Sequence, residues 1–220
     1  MDPDRIGLLG WELGGGIVIQ AAAEDERVKS VACLNGVGDA GRAVCHTMTS
    51  ADWLAVQDRI TADRTNHWFT GKSEQVSPWE IVPLDPTTRA NVDEDMYGRH
   101  ERFGIEVSLQ SAEAYYSFRP ELSVSLISPR RLLIVHGTHN ELHSVEEALS
   151  LYKHAREPKQ LIEVRNGRHL NWIQPNNSLY SVVIPQIVRW FGVMAVPPHA
   201  PAAADQKEFL EVTMSSPALT

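Results

Sequence analysis

The chain has few cysteines, no long apolar run and no excess of basic residues. With only 2 cysteines in 220 residues, a disulfide framework is excluded, and a reducing, cytoplasmic compartment is expected. No segment approaches the roughly 18 apolar residues of a membrane span, and no basic start precedes an apolar stretch, so neither an anchor nor a signal peptide is predicted. The 20 Lys and Arg against 28 Asp and Glu, a net charge of −8, argue against a nucleic-acid or anionic-membrane partner.

The composition is typical of one globular domain, with 43% hydrophobic and 22% charged residues. Four short apolar runs, at residues 5–9, 28–34, 131–136 and 160–164, predict buried strands. Helical patterns follow three of them, at residues 14–23, 145–155 and 180–193. Because strands alternate with helices, we predict an α/β fold with a mostly parallel sheet and helices on both faces.

The middle and the end of the chain break this alternation. Residues 37–129 are polar and rich in aromatics, with helical patterns at 51–64 and 109–118, and predict an insertion that caps the sheet. The aromatic side chains of the cap either pack in its interior or line a substrate pocket. We therefore expect one domain over residues 1–196, followed by a flexible Pro- and Ala-rich tail at 197–220.

The most informative segment is R-I-G-L-L-G-W-E-L-G-G-G at residues 5–16. It predicts a buried strand, a sharp turn and a helix start, the arrangement of the nucleophile elbow G-x-S-x-G, with Glu12 in place of serine. The small neighbours Gly10, Gly14 and Gly15 permit the strand and the helix to approach closely. The turn therefore displays a carboxylate where a hydroxyl is expected.

Two later segments follow the third and fourth predicted strands. The first is H-G-T-H-N-E-L at residues 136–142, and the second is N-G-R-H at residues 166–169. Together with the elbow, they resemble the C-terminal part of an α/β-hydrolase, most closely the dienelactone-hydrolase-like and prolyl-peptidase-like branch, whose triad runs nucleophile, acid, histidine along the chain. The resemblance covers about residues 4–193. It implies that Glu12, Asn140 and His169 are the catalytic residues and that the backbone N–H of Leu13 is an oxyanion-hole donor.

The chain departs from that family at three points. Glu12 replaces the serine, Asn140 replaces the aspartate, and the family's strands before the elbow are missing from the sequence. The chain is therefore a fragment, an abbreviated fold, or one whose missing half another polypeptide supplies. An uncovered sheet edge predicts association with a second copy or a partner chain.

Several chemistries fit a Glu–Asn–His site on a small organic substrate. The first is hydrolysis or transfer of an ester, thioester or lactone acyl group. The second is carboxylate-based chemistry, in which Glu12 attacks the substrate as a nucleophile or acts with His169 as an acid–base pair, as in an isomerase, lyase or cyclase. The third is an inactive site that binds a ligand or partner. Asn140 can orient His169 but cannot stabilise its positive charge, and it can favour the wrong tautomer. The adjacent Glu141 is an alternative partner for His169.

No cofactor or metal is expected. His139, Glu141 and His143 have a spacing that suggests zinc, but they follow a strand in a loop, where no helix aligns them, so we interpret the histidines as solvated. Cys33 lies within a predicted strand and is interpreted as a core thiol rather than a nucleophile.

Overall fold

The computed structural model describes residues 2–95, 106–192 and 206–210. The strands in these ranges are β1 (Ile6–Trp11), β2 (Val28–Leu34), β3 (Gln75–Val76), β4 (Val107–Ser108), β5 (Arg131–Gly137), β6 (Lys159–Val164) and β7 (Gln206–Leu210). The helices are α1 (Leu13–Glu24), α2 (Ala40–Cys45), α3 (Ser50–Thr70), α4 (Pro78–Ile81), α5 (Pro86–Asp95), α6 (Gln110–Tyr116), α7 (Val145–His154) and α8 (Tyr180–Gly192). None of these helices has the length and apolar character needed to cross a bilayer.

The main sheet has five strands in the order β1-β2-β5-β6-β7, and every neighbouring pair is parallel. The four predicted strands are confirmed, with β1 running two residues further, to Trp11. The prediction of an α/β fold with a parallel sheet is also confirmed.

Helices cover both faces of this sheet. On one face, α1 and α7 bury Ile19 and Leu151 against alternate strand residues such as Ile134. On the other face, α8 buries Ile187 against the intervening residues, such as Val135. Because helices cover both faces, the side chains that point to either face of the sheet are apolar, as is typical of buried parallel strands.

The segment between β2 and β5 carries α2 to α6 and a separate antiparallel pair, β3 with β4. It has a core of its own, in which the Tyr116 hydroxyl donates to the Ile81 carbonyl at 2.7 Å. Helix α3 continues past the predicted residue 64 to Thr70 and ends where Gly71 adopts φ 69°. Helix α2, which the sequence analysis does not predict, begins where the Asp39 side chain accepts from the Arg42 N–H. Part of the predicted cap, residues 96–105, lies outside the described residues.

Strand β7 differs from the predicted flexible tail. Residues 206–210 pair in parallel with β6, so five residues of the predicted tail are part of the sheet. Backbone hydrogen bonds form this pairing, and they do not require apolar side chains. The sequence Q-K-E-F-L contains no apolar run, so its pattern did not predict a strand. The remainder of 197–220 lies outside the described residues.

A buried ion pair joins the segment after β2 to helix α7. The Glu147 carboxylate has no exposed surface and accepts from the N–H groups of Gly38 and Asp39 at 3.0 and 2.9 Å. It also accepts two hydrogen bonds from the Arg42 guanidinium, each 2.8 Å long, and Arg42 binds Glu121 as well. Four donors on one buried carboxylate therefore fix the start of α2 against α7.

We predict that Glu147→Gln destabilises the protein by about 3 kcal/mol, because the change leaves Arg42 undercompensated and points an amide N–H₂ at other donors. Urea unfolding monitored by circular dichroism measures this free energy. Glu146→Gln is the matched control, since Glu146 is exposed in the same helical turn, and we expect a change within about 0.5 kcal/mol. Equal stabilities of the two variants would contradict the prediction.

Candidate functional site

The predicted site residues meet at the carboxyl edge of the sheet. Glu12 follows β1, and Asn140 and His169 lie in the loops after β5 and β6. This edge is where open parallel sheets bind their ligands. The structure therefore brings together the three side chains that the sequence separates by more than 150 residues.

The elbow at Glu12 has the predicted geometry. Glu12 adopts φ 54° and ψ −123°, a conformation that side-chain-bearing residues rarely occupy, and its N–H donates to the Leu34 carbonyl at 2.9 Å. A Cβ on Gly10 would lie 2.0 Å from the Gly14 carbonyl oxygen, so only glycine permits this approach of strand to helix. The Glu12 side chain keeps 31% of its surface exposed.

Asn140 holds His169 in a defined tautomer. The Asn140 Oδ1 accepts from the N–H groups of Leu142 and His143, each at 3.1 Å, so the backbone fixes which end of the amide is oxygen. The same Oδ1 lies 3.2 Å from His169 Nδ1, which must therefore carry the hydrogen. The basic nitrogen of His169 is then Nε2, the tautomer that a general base requires. The concern that asparagine favours the wrong tautomer does not apply to this geometry.

His169 is buried and neutral at pH 7. Only 6% of its surface is exposed, and its ring packs edge-on against Trp11 at a centroid distance of 5.6 Å. Burial, with a contribution from His143, lowers the pKa of His169 to about 4, although Glu12 and Asp85 act to raise it. At neutral pH His169 therefore carries no charge, and its Nε2 is unprotonated.

Asn35 links the loops that carry this site, and the sequence analysis did not identify it. This fully buried residue adopts φ 47°, donates from Nδ2 to the His169 carbonyl at 2.8 Å, and accepts on Oδ1 from the Gly137 N–H at 2.9 Å. One side chain thereby ties the end of β2 to the ends of β5 and β6. An asparagine directly after a strand was the only sequence signal.

His143 is the second residue that the sequence analysis missed. We interpreted it as a solvated loop histidine, but 1% of its side chain is exposed, and its Nε2 lies 3.4 Å from Glu12 Oε1. The error arose because the loop turns inward at Asn140, whose oxygen binds the His143 N–H. Glu12 therefore has a closer histidine partner than the one the resemblance implied.

The Glu12 carboxylate is ionised at neutral pH. Burial raises the pKa of Glu12, but the hydrogen bond with His143, the electrostatic effect of His143 and His169 in their protonated forms and the Leu13 N–H together lower it below its usual range. The Leu13 N–H, the predicted oxyanion donor, thus acts on the carboxylate of its own neighbour. An ionised carboxylate occupies the place where a tetrahedral intermediate would develop negative charge.

A cleft of about 110 Å³ opens beside His169. Asp85 and Asn91 line it from the cap, and Glu141 and Arg168 line it from the loops after β5 and β6. Glu141 pairs with Arg168 at 3.4 Å and is exposed, so it is not the hydrogen-bond partner that holds His169 Nδ1. The cleft is lined by His169 itself and therefore adjoins the predicted site.

The remaining candidates lie apart from one another. His139 is exposed and contacts the Thr138 hydroxyl, whereas His143 faces Glu12, so the spacing that suggested zinc does not bring these histidines together. Within the described ranges, no group of three or more His, Cys, Asp or Glu side chains is placed to hold a metal ion. Cys33 is fully buried, and burial raises its pKa to about 12, which confirms the interpretation as a core thiol.

We predict that Asn140→Asp raises the pKa of His169 by about 1–3, because it places a negative charge at hydrogen-bonding distance from Nδ1 and so favours the protonated ring. Titration of the His169 Hε1 resonance by NMR measures this value. Asn166→Asp introduces the same charge at an exposed position of the same loop, and there we expect a much smaller change. A pKa that stays near 4 in the folded Asn140→Asp variant would contradict the prediction.

Comparison with known proteins supports the same fold. No family model matches the chain. It is 25% identical over 198 residues to the acyltransferase drtE of Aspergillus calidoustus, covering 88% of this chain and 64% of drtE. The solved structure of the DcsB complex with its substrate analogue aligns with a TM-score of 0.70 at 15% identity, over 87% of this chain and 66% of that one.

The chain spans less than two thirds of the length of these relatives. A further structure, the α/β-hydrolase GrgF from Penicillium sp. sh18, aligns with a TM-score of 0.63 at 21% identity, over 89% of this chain and 66% of GrgF. The parallel sheet with helices on both faces agrees with that comparison. The chain therefore has the fold of the α/β-hydrolase superfamily.

Proposed function

We propose that the protein is an α/β-hydrolase-fold enzyme that acts on a small organic ester, thioester or lactone, with a Glu12–Asn140–His169 site in place of Ser–Asp–His. The observation that carries the proposal is the state of His169. It is neutral, Asn140 holds it with Nε2 as the basic nitrogen, and it lies beside an ionised elbow carboxylate.

In this proposal His169 is the general base. Its Nε2 takes a proton from a water molecule, whose oxygen forms a bond to the acyl carbon, and the imidazolium then returns the proton to the departing alcohol or thiol. Glu12 raises the pKa of His169 electrostatically and supplies the negative charge that Asn140 lacks. Compared with the family's triad, the negative charge has moved from the acid position to the elbow.

A hydroxyl group can replace water as the acceptor in the same step. The product is then a new ester or lactone instead of a free acid, and the proton movements at His169 are unchanged. The 25% identity to an acyltransferase supports this form of the proposal. Products formed with and without an added alcohol distinguish the two acceptors.

A second candidate is a binding role without acyl chemistry. It is favoured by one observation, namely that the Leu13 N–H and His143 already engage the Glu12 carboxylate and lower its pKa. An oxyanion donor engaged in this way does not stabilise a substrate oxyanion. Substitutions at Glu12 separate the two candidates.

We predict that Glu12→Gln lowers kcat/KM on the best substrate of an ester, thioester and lactone panel by about 10²–10³, because it removes the charge that stabilises the His169 imidazolium. A fluorophosphonate probe is expected to leave the wild-type protein unlabelled, since Glu12 stands at the nucleophile position. Undiminished activity of Glu12→Gln, or labelling at the wild-type elbow, would overturn the proposed role of Glu12.

We also predict that Glu12→Ser combined with Asn140→Asp gains hydrolysis of activated esters and becomes labelled by the probe. Glu12→Ser alone is the matched variant, and we expect its turnover to be lower by on the order of 10⁴, because asparagine cannot stabilise the imidazolium. If the folded double variant is neither labelled nor active, the acyl machinery is absent and the binding role is favoured.

We further propose that another polypeptide covers the β1 edge. In the described part of the sheet β1 pairs only with β2, and Leu9 on β1 and Ile17 on α1 are each 51% exposed. Light scattering coupled to gel filtration is expected to show self-association that Leu9→Lys weakens. Leu54→Lys, at an exposed position of α3, is the control. A monomeric wild-type protein would exclude a second copy as the covering chain.

A further inference from the structure

We propose that His143 is a positioning residue for Glu12, which binds the elbow carboxylate and fixes its place at the site. His143 Nε2 lies 3.4 Å from Glu12 Oε1, and the ring centroids of His143 and His169 are 5.8 Å apart. Only the kinetic test of this proposal rests on the function proposed above. The Glu12–His143 contact exists in the free protein, so the NMR tests do not require turnover.

The burial of His143 is the first argument. Its side chain is 1% exposed, and its Nδ1 has no hydrogen-bond partner among the described residues. An apolar side chain would fill this space without leaving a polar atom unsatisfied, so the imidazole is costly for packing alone. Within the described ranges, the one partner of its side chain at hydrogen-bonding distance is the Glu12 carboxylate.

The chemistry of the two groups is the second argument. A carboxylate accepts hydrogen bonds only, so the imidazole nitrogen that faces it, Nε2, carries a hydrogen. The backbone fixes the position of the ring, because the His143 N–H donates to Asn140 Oδ1 and its carbonyl lies 2.9 Å from His136 Nε2. Asn140 therefore orients both histidines, His169 through its ring and His143 through its backbone.

The groups around Glu12 come from three further elements. His143 lies in the loop after β5, His169 in the loop after β6, and Tyr115 on α6, where burial and the charge of Glu12 raise the pKa of its hydroxyl. Asp85 acts on His169 and Glu147 acts on Tyr115, so both influence the surroundings of Glu12 from a greater distance. His143 is the one among these that makes a hydrogen bond with the Glu12 carboxylate.

The test is the titration of the Glu12 carboxyl carbon by NMR in uniformly ¹³C-labelled protein, with the resonance assigned by its loss in Glu12→Gln. In His143→Leu we expect the acid dissociation constant of Glu12 to fall at least tenfold, and in His143→Gln less, because the amide keeps a donor. His139→Leu is the matched control, since His139 is exposed in the same loop, and we expect no change.

A second measurement does not depend on variants of His143. The ring resonances of His143 are expected to shift in the wild-type protein at the pH where Glu12 titrates, and this step disappears in Glu12→Gln. If substrate turnover is found, the acidic limb of its pH profile moves to higher pH in His143→Leu. A merely structural role would leave that limb in place.

Two results would overturn the inference. One is an unchanged Glu12 titration in folded His143→Leu, and the other is a His143 resonance in the wild-type protein that does not respond to Glu12. A shifted Glu12 titration in a protein without turnover on any substrate would leave this inference standing and would count against the proposed function instead.

Discussion

The close approach of strand β1 to helix α1 is the constraint on which the site depends. Because the strand turns into the helix within one residue, Glu12 is held at φ 54°, and Gly10 must lack a side chain to pass the Gly14 carbonyl. A residue in this conformation cannot rotate its backbone to relieve an unfavourable neighbour. Neighbouring groups must therefore stabilise the carboxylate where it lies. These groups are the Leu13 N–H and His143.

The second fixed point is a single amide oxygen. Asn140 Oδ1 receives the N–H groups of Leu142 and His143 and the Nδ1–H of His169, with distances of 3.1, 3.1 and 3.2 Å. An aspartate there would bind the same three donors and add a charge. With asparagine the loop geometry is retained while the charge is lost, and His169 stays neutral because burial lowers its pKa and the amide adds no charge at Nδ1 to offset that effect.

The fold, and the place of the three candidate site residues in it, could be predicted because their signals are local. Apolar runs mark the strands, glycines mark the elbow, and the predicted site residues come just after the strands whose ends converge. His143, Asn35 and Glu147 could not be predicted in this way. Their roles depend on contacts across 131, 134 and 109 residues of sequence, and asparagine and glutamate are residue types that are ordinarily exposed.

The two substitutions make physical sense together rather than separately. A glutamate at the elbow of a site with an intact aspartate would place two carboxylates beside one histidine, and each would raise the pKa of the other. Asn140 removes that repulsion, so Glu12 stays ionised and becomes the negative charge nearest to the pair of buried histidines. His143 then supplies a donor for the relocated charge. The site therefore keeps an orienting oxygen at the acid position beside His169, while the negative charge of the triad that the sequence resembles lies instead at the elbow.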